Sequence, residues 1–92
     1  MSERRATIAS RVGLHLRPAA LFAEAAARLP VEVTIARDGA PVQDALNAAS
    51  VLAVLSLGAE CGDVVVLRAE GADADVALAS LAAFLERDLD AE

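Results

Sequence analysis

The chain has 92 residues, enough for one small domain and too few for a large, deep substrate pocket. Its formal net charge of −6 comes from 14 acidic residues against 8 cations, all of them arginine. With no basic cluster, that balance argues against nucleic acid or an anionic membrane surface as a partner. Hydrophobic residues make up 57% of the chain, but alanine supplies much of that, and Phe22 and Phe84 are the only aromatic side chains. The core must therefore be built from Val, Ile and Leu with close backbone approach at Ala.

Arg5-Ala6-Thr7-Ile8-Ala9 reads as a first short strand, and Ser10 to Leu14 as a loop. From Leu16 to Leu29 the pattern predicts a helix, with Pro18, Phe22, Ala25, Ala26 and Leu29 at helical spacing. Pro30 blocks its continuation. Val31 to Ala36 alternates strictly and predicts a half-buried strand with Val31, Val33 and Ile35 on the core face. Asp38-Gly39 is hairpin chemistry, which predicts a short strand near Ala40–Val42 and a loop over Gln43 to Ala48. Ser50 in front of Val51–Leu57 and Gly58 behind it favour a short capped helix. Within it Val51 and Val54 are expected in the core, Leu52 and Leu55 at the surface.

Asp63 to Ala69 is a nearly continuous β-branched run, the expected central strand, broken by Gly71. Asp73 to Leu89 predicts a last helix, with Leu78, Leu81, Ala82, Leu85 and Leu89 as its core stripe and Asp73 and Asp75 at its positive end. The order βαββαβα over residues 1–92 predicts a single α+β domain, with helices on one face of a small sheet. A lone Cys61 in a turn forms no intramolecular disulfide. No ligand cluster or glycine-rich nucleotide loop is present, so no metal and no cofactor are expected. The N-terminus has no apolar stretch behind its two arginines, and Val51–Leu57 is too short to span a bilayer; a cytoplasmic protein without membrane insertion is expected.

The only histidine, His15, stands at the predicted start of the first helix, with Arg17 two residues on and Pro18 in the first turn. The backbone N–H groups of Leu16 and Arg17 have no partner within such a helix, so they and the helix dipole suit an anion. Arg17 adds a permanent cation with several donors for phosphate. Pro18 gives up an N–H where none is needed. A neutral imidazole is a competent nucleophile toward a phosphoryl donor. His15 and Arg17 are therefore candidate catalytic residues, and Leu16 and Arg17 candidate phosphate binders. The same spacing also fits a histidine that only caps the helix, beside a surface arginine.

The stretch Gly13-Leu14-His15-Leu16-Arg17-Pro18-Ala19-Ala20 resembles the active-site signature of HPr, the histidine-containing phosphocarrier family of the phosphoenolpyruvate-dependent sugar phosphotransferase system. Asn47 to Gly58 resembles the second signature of that family, and the likeness covers nearly the whole chain, closest to actinobacterial members. The resemblance implies an open-faced β-sandwich, a four-stranded antiparallel sheet with three helices on one face. It implies a monomer in which His15 takes a phosphoryl group on Nδ1 from phosphorylated enzyme I, beside Arg17. His15 then passes the group to IIA domains of sugar transporters. Such a chain carries a transient phosphohistidine and has no small-molecule substrate of its own.

Ser50 matches the family's regulatory serine, and it is equally a simple helix cap. Leu16, Ala20, Leu21, Val51, Leu52 and Leu55 match an apolar partner-docking patch. Three departures stand out. Leu16 replaces a smaller residue, the first helix lacks lysines that some members present to enzyme I, and Gln43–Leu46 looks like a short loop insertion. A regulatory HPr-like protein that binds other proteins, or a carrier for a nitrogen-related or single-sugar branch, would share most of these features.

Overall fold

The computed structural model describes residues 2–9, 13–14 and 16–87. The β-branched run near residue 65 becomes strand β4 (Val64–Ala69), which is preceded in the chain by β1 (Ser2–Thr7), β2 (Val33–Arg37) and the two-residue β3 (Leu46–Asn47). The sheet order is β1-β4-β2-β3. Every neighbouring pair is antiparallel: Ser2 to Thr7 run opposite Ala69 to Val64, and Val33 to Arg37 opposite Ala69 to Val65. The predicted central strand is thus central. It has the density of Val and Leu that a strand flanked on both edges and covered on one face requires.

Helices α1 (Leu16–Ala27), α2 (Val51–Ser56) and α3 (Ala74–Leu85) complete the predicted βαββαβα order. Period two along the strands sends Ala6, Val33, Ile35, Val65, Leu67 and Ala69 to the helix side. There they share one core with Phe22, Ala26, Val54, Leu78, Leu81 and Leu85. Phe22 of α1 and Phe84 of α3 lie with ring centroids 6.2 Å apart at 57°, a tilted aromatic pair. The other face of the sheet stays open and carries ion pairs. Arg5 Nε donates to Asp38 Oδ1 at 3.0 Å, and Arg68 Nε donates to Glu3 Oε2 at 2.9 Å.

Several boundaries differ from the sequence reading. β1 begins at Ser2 and ends at Thr7, where residues 5–9 had been expected. Its charged residues Glu3, Arg4 and Arg5 do not look like strand. Pairing with β4 puts Glu3 and Arg5 on the open face, where the ion pairs neutralise them. Ile8 lies beyond the strand and is buried. The Asp38-Gly39 turn does form, Ala40 N–H donating to Arg37 O at 3.0 Å, but no strand follows over Ala40–Val42. Pro41 has no N–H for a ladder. Val42–Asp44 is a 3₁₀ turn with Val42 exposed, and the chain rejoins the sheet at Leu46, inside the segment expected to be loop.

α1 ends at Ala27 rather than Leu29, because Arg28 and Leu29 close tighter i→i−3 bonds ahead of Pro30. Val31 is half-buried and precedes β2. α3 ends at Leu85, and the expected core position Leu89 lies outside the described residues.

Candidate functional site

α1 opens with Leu16, and the backbone N–H groups of Leu16 and Arg17 in its first turn have no acceptor within the helix, while Pro18 has no N–H to satisfy. Leu16 is 66% exposed and Arg17 is exposed, while Pro18 and Ala19 turn into the core. Arg17 makes no hydrogen bond or ion pair with any described side chain, so its guanidinium is open to an incoming anion. His15 lies outside the described residues. The residues on either side of it do not.

Leu14 is buried, and its N–H donates to Ala59 O at 2.9 Å. Gly13 takes φ +76°, a left-handed conformation that L side chains rarely adopt. A Cβ there would stand 2.7 Å from Ala59 O and 2.8 Å from Glu60 Cα. Gly13 is therefore required twice, by its φ and by the backbone that crosses it. Ala59 was not among the candidate residues, because it acts through its carbonyl and a backbone acceptor leaves no mark on residue type.

α2 packs against α1 and supplies the second part of the surface. Ser50 is its N-cap, with φ −100° and ψ 118°, and its hydroxyl oxygen accepts the Ala53 N–H at 3.3 Å. Ahead of it, Asn47 Oδ1 accepts the Ala49 N–H at 2.9 Å, which shapes the entry to the helix. Leu52 is 79% exposed and Leu21 is exposed, whereas Val54 is fully buried. Ala20, Val51 and Leu55 are half-buried. Two expectations shift here. Leu55 packs against the core instead of lying open, and Val51 is only half withdrawn. With six residues, α2 makes fewer than two turns, so its apolar positions spread around the axis and only Val54 reaches the interior fully.

Behind the site, the return from α2 to β4 is fastened to the sheet. Ile8 N–H donates to Asp63 O and Gly62 N–H to Ile8 O, both at 2.9 Å. Asp63 Oδ2 accepts from Glu60 N–H at 2.9 Å and from Arg37 Nη2 at 3.0 Å. These donors hold the Asp63 carboxyl below its usual range, the Glu60 N–H foremost; partial burial opposes them and the Arg37 guanidinium adds to them. Among the described residues no group of His, Cys, Asp and Glu could hold a metal ion. No described helix is long and apolar enough to cross a membrane.

Four antiparallel strands under three helices, with a glycine-pinned loop ahead of an exposed Arg at the head of α1, form an open-faced β-sandwich. Residues 2–87 match the family model described as PTS HPr component phosphorylation site. The phosphocarrier protein HPr of Streptomyces coelicolor is 46% identical over 91 residues, spanning 98% of this chain and 94% of the relative. The HPr-like protein Crh of Bacillus subtilis is 35% identical over 89 residues, 97% of this chain and all of the relative. The crystal structure of an HPr from Bacillus anthracis superposes with a TM-score of 0.81 at 34% identity, covering 91% of this chain and 95% of that one. The chain belongs to the HPr family of the phosphotransferase system.

Proposed function

We propose that this chain carries phosphoryl groups in the phosphotransferase system, taking them on His15 from phosphorylated enzyme I and giving them to IIA domains. The single observation that carries the reading is the start of α1. An exposed Leu16, whose N–H lies in the first turn of α1, and an exposed, uncommitted Arg17 follow His15 directly in the chain. An imidazole nitrogen attacks phosphorus, the donor's bond to phosphorus breaks, and the donor leaves with that electron pair. The group arrives with negative charge, which Arg17 and the N–H groups of the first turn offset. Onward transfer repeats the displacement with His15 as the leaving group. A neutral imidazole leaves readily, which suits a carrier.

Leu16, Leu21 and Leu52, exposed on two adjoining helices, form the centre of the docking surface, with Ala20, Val51 and Leu55 at its half-buried margin. Apolar contact of this kind accepts several partners, because it asks for no fixed hydrogen-bond pattern. All these parts come from one chain, so a monomer suffices. Ser50 is assigned the role of helix cap, since its hydroxyl oxygen already accepts the Ala53 N–H.

Incubation with phosphoenolpyruvate and enzyme I tests the reading. The wild-type chain is expected to take up one acid-labile, base-stable phosphoryl group, and His15→Ala none. An unlabelled wild type, or a labelled His15→Ala chain, would contradict it.

A further inference from the structure

Two arginine–aspartate pairs in this molecule have the same N···O distance and different surroundings. Arg5 and Asp38, at 3.0 Å, sit on the open face of the sheet. Arg37 and Asp63, also at 3.0 Å, close a different circuit. Arg37 is the last residue of β2, and its register opposite Val65 puts it on the helix side. Its Nη1 donates to Leu57 O at 3.0 Å, one of the carbonyls that the end of α2 leaves without a helical donor. Its Nη2 donates to Asp63 Oδ2. That same oxygen accepts the Glu60 N–H at 2.9 Å, and Asp63 N–H donates back to Glu60 O at 2.9 Å. One planar guanidinium thus grips both ends of the loop between α2 and β4, at Leu57 and at Asp63.

Within that loop stands Ala59, buried, with its carbonyl bonded to the Leu14 N–H and pressed against Gly13. Leu14 is the residue before His15. The route from Arg37 to the residue that bears the phosphate is therefore a short series of fixed backbone atoms. We propose that Arg37 and Asp63 are positioning residues for phosphoryl transfer: they fix the loop over residues 57–63, and through the Ala59 carbonyl they fix the chain entering His15. The inference rests on the carrier reading above. Its physical content is alignment. In-line displacement needs the nucleophile held close to its attack geometry, and a displacement of about 1 Å can cost about 100-fold in rate. Exposed ion pairs add little to stability, so the fold survives loss of the clamp while alignment suffers.

The test compares Arg37→Gln, Asp63→Asn, the double variant and Arg37→Lys with Arg5→Gln, which breaks the other pair. Initial rates of phosphoryl transfer from enzyme I are measured against carrier concentration, and Leu14 amide exchange is followed in the same proteins without donor. Arg37→Gln and Asp63→Asn are expected to lower kcat about 5- to 30-fold with KM within about twofold. Leu14 exchange should quicken at least about fivefold. The double variant should be no slower than the worse single, because the two residues act as one unit. Arg37→Lys, which keeps the charge but not the fork, should fall between, and Arg5→Gln should match wild type. Wild-type kcat and Leu14 protection in Asp63→Asn would overturn the inference, as would an equal loss in Arg5→Gln or a loss confined to KM. A wild-type chain that takes no phosphate would instead overturn the carrier reading. Leu14 exchange would then still decide whether the clamp holds the loop.

Discussion

At the scale of single residues, the site divides into groups that hold the backbone and groups that, on the proposed function, meet the phosphate. Gly13 is of the first kind. Gly13→Ala must accept a left-handed φ and push its methyl into the Ala59 carbonyl. The expected cost is about 3 kcal/mol or more, read as a lowered urea midpoint; a loss under about 1 kcal/mol would show that the two backbones can part cheaply. Arg17 is of the second kind. It is exposed and holds no described partner, so Arg17→Ala should leave the thermal midpoint unchanged within about 2 °C. On the proposed function, transfer should slow about 10- to 100-fold, because charge on the moving phosphoryl group loses a cation. Wild-type rates in that variant would remove Arg17 from the mechanism. Both residues stand in the stretch that carries the family resemblance, and glycine and arginine display in their side chains, or the lack of one, the roles given to them here. Ala59, Arg37 and Asp63 were not legible in the sequence. Ala59 acts by its carbonyl, and the bonds of Arg37 span 20 and 26 positions of the chain.

At the scale of elements, α2 separates a buried face from an exposed one within six residues. Val54 is fully buried and Leu52 is 79% exposed, although composition treats them alike. Val54→Ala should destabilise the domain by about 2 kcal/mol, with transfer by the folded fraction unaltered. Leu52→Glu should leave the unfolding midpoint near wild type and raise KM for enzyme I. The reverse pattern would mean that α2 is turned the other way. The helix itself could be read from its Ser50 cap and from Gly58, which takes the positive φ of a helix-terminating glycine. Strand β3 could not. The Asp38-Gly39 turn forms as its chemistry dictates, but Pro41 denies the following residues a ladder bond, and pairing resumes five residues later at Leu46. A two-residue edge strand has too short a pattern to register as period two. Charged β1 was displaced for the opposite reason, since its ion-pair partners lie on β4 and in the turn after β2, and only the assembled sheet neutralises them.

At the scale of the whole molecule, acid should act through the clamp loop. The Asp63 carboxyl is held below its usual value of 3.8 in the fold, first by the Glu60 N–H, against partial burial, and then by Arg37. A carboxylate with a depressed folded pKa adds stability above its unfolded value, and loses it as pH falls through the folded one. The gap in urea midpoint between wild type and Asp63→Asn should therefore be fully present above the unfolded carboxylate range and close as pH falls through the lowered folded value. A gap that persists unchanged to the lowest pH would mean that Asp63 contributes through shape and not through charge.

The overall design follows from size. Ninety-two residues with two aromatics build one core beneath one sheet face. On the proposed function, chemistry is done at the surface, with a partner supplying the rest of the active site. A carrier must release as readily as it accepts, and this requirement gives the most direct measurement. Chain labelled through enzyme I, freed of donor and mixed with IIA domains, should lose its phosphoryl group to them within seconds to minutes while the unmixed sample keeps its label. Label that stays on the chain in the presence of every IIA domain offered, while still returning to enzyme I, would contradict the account.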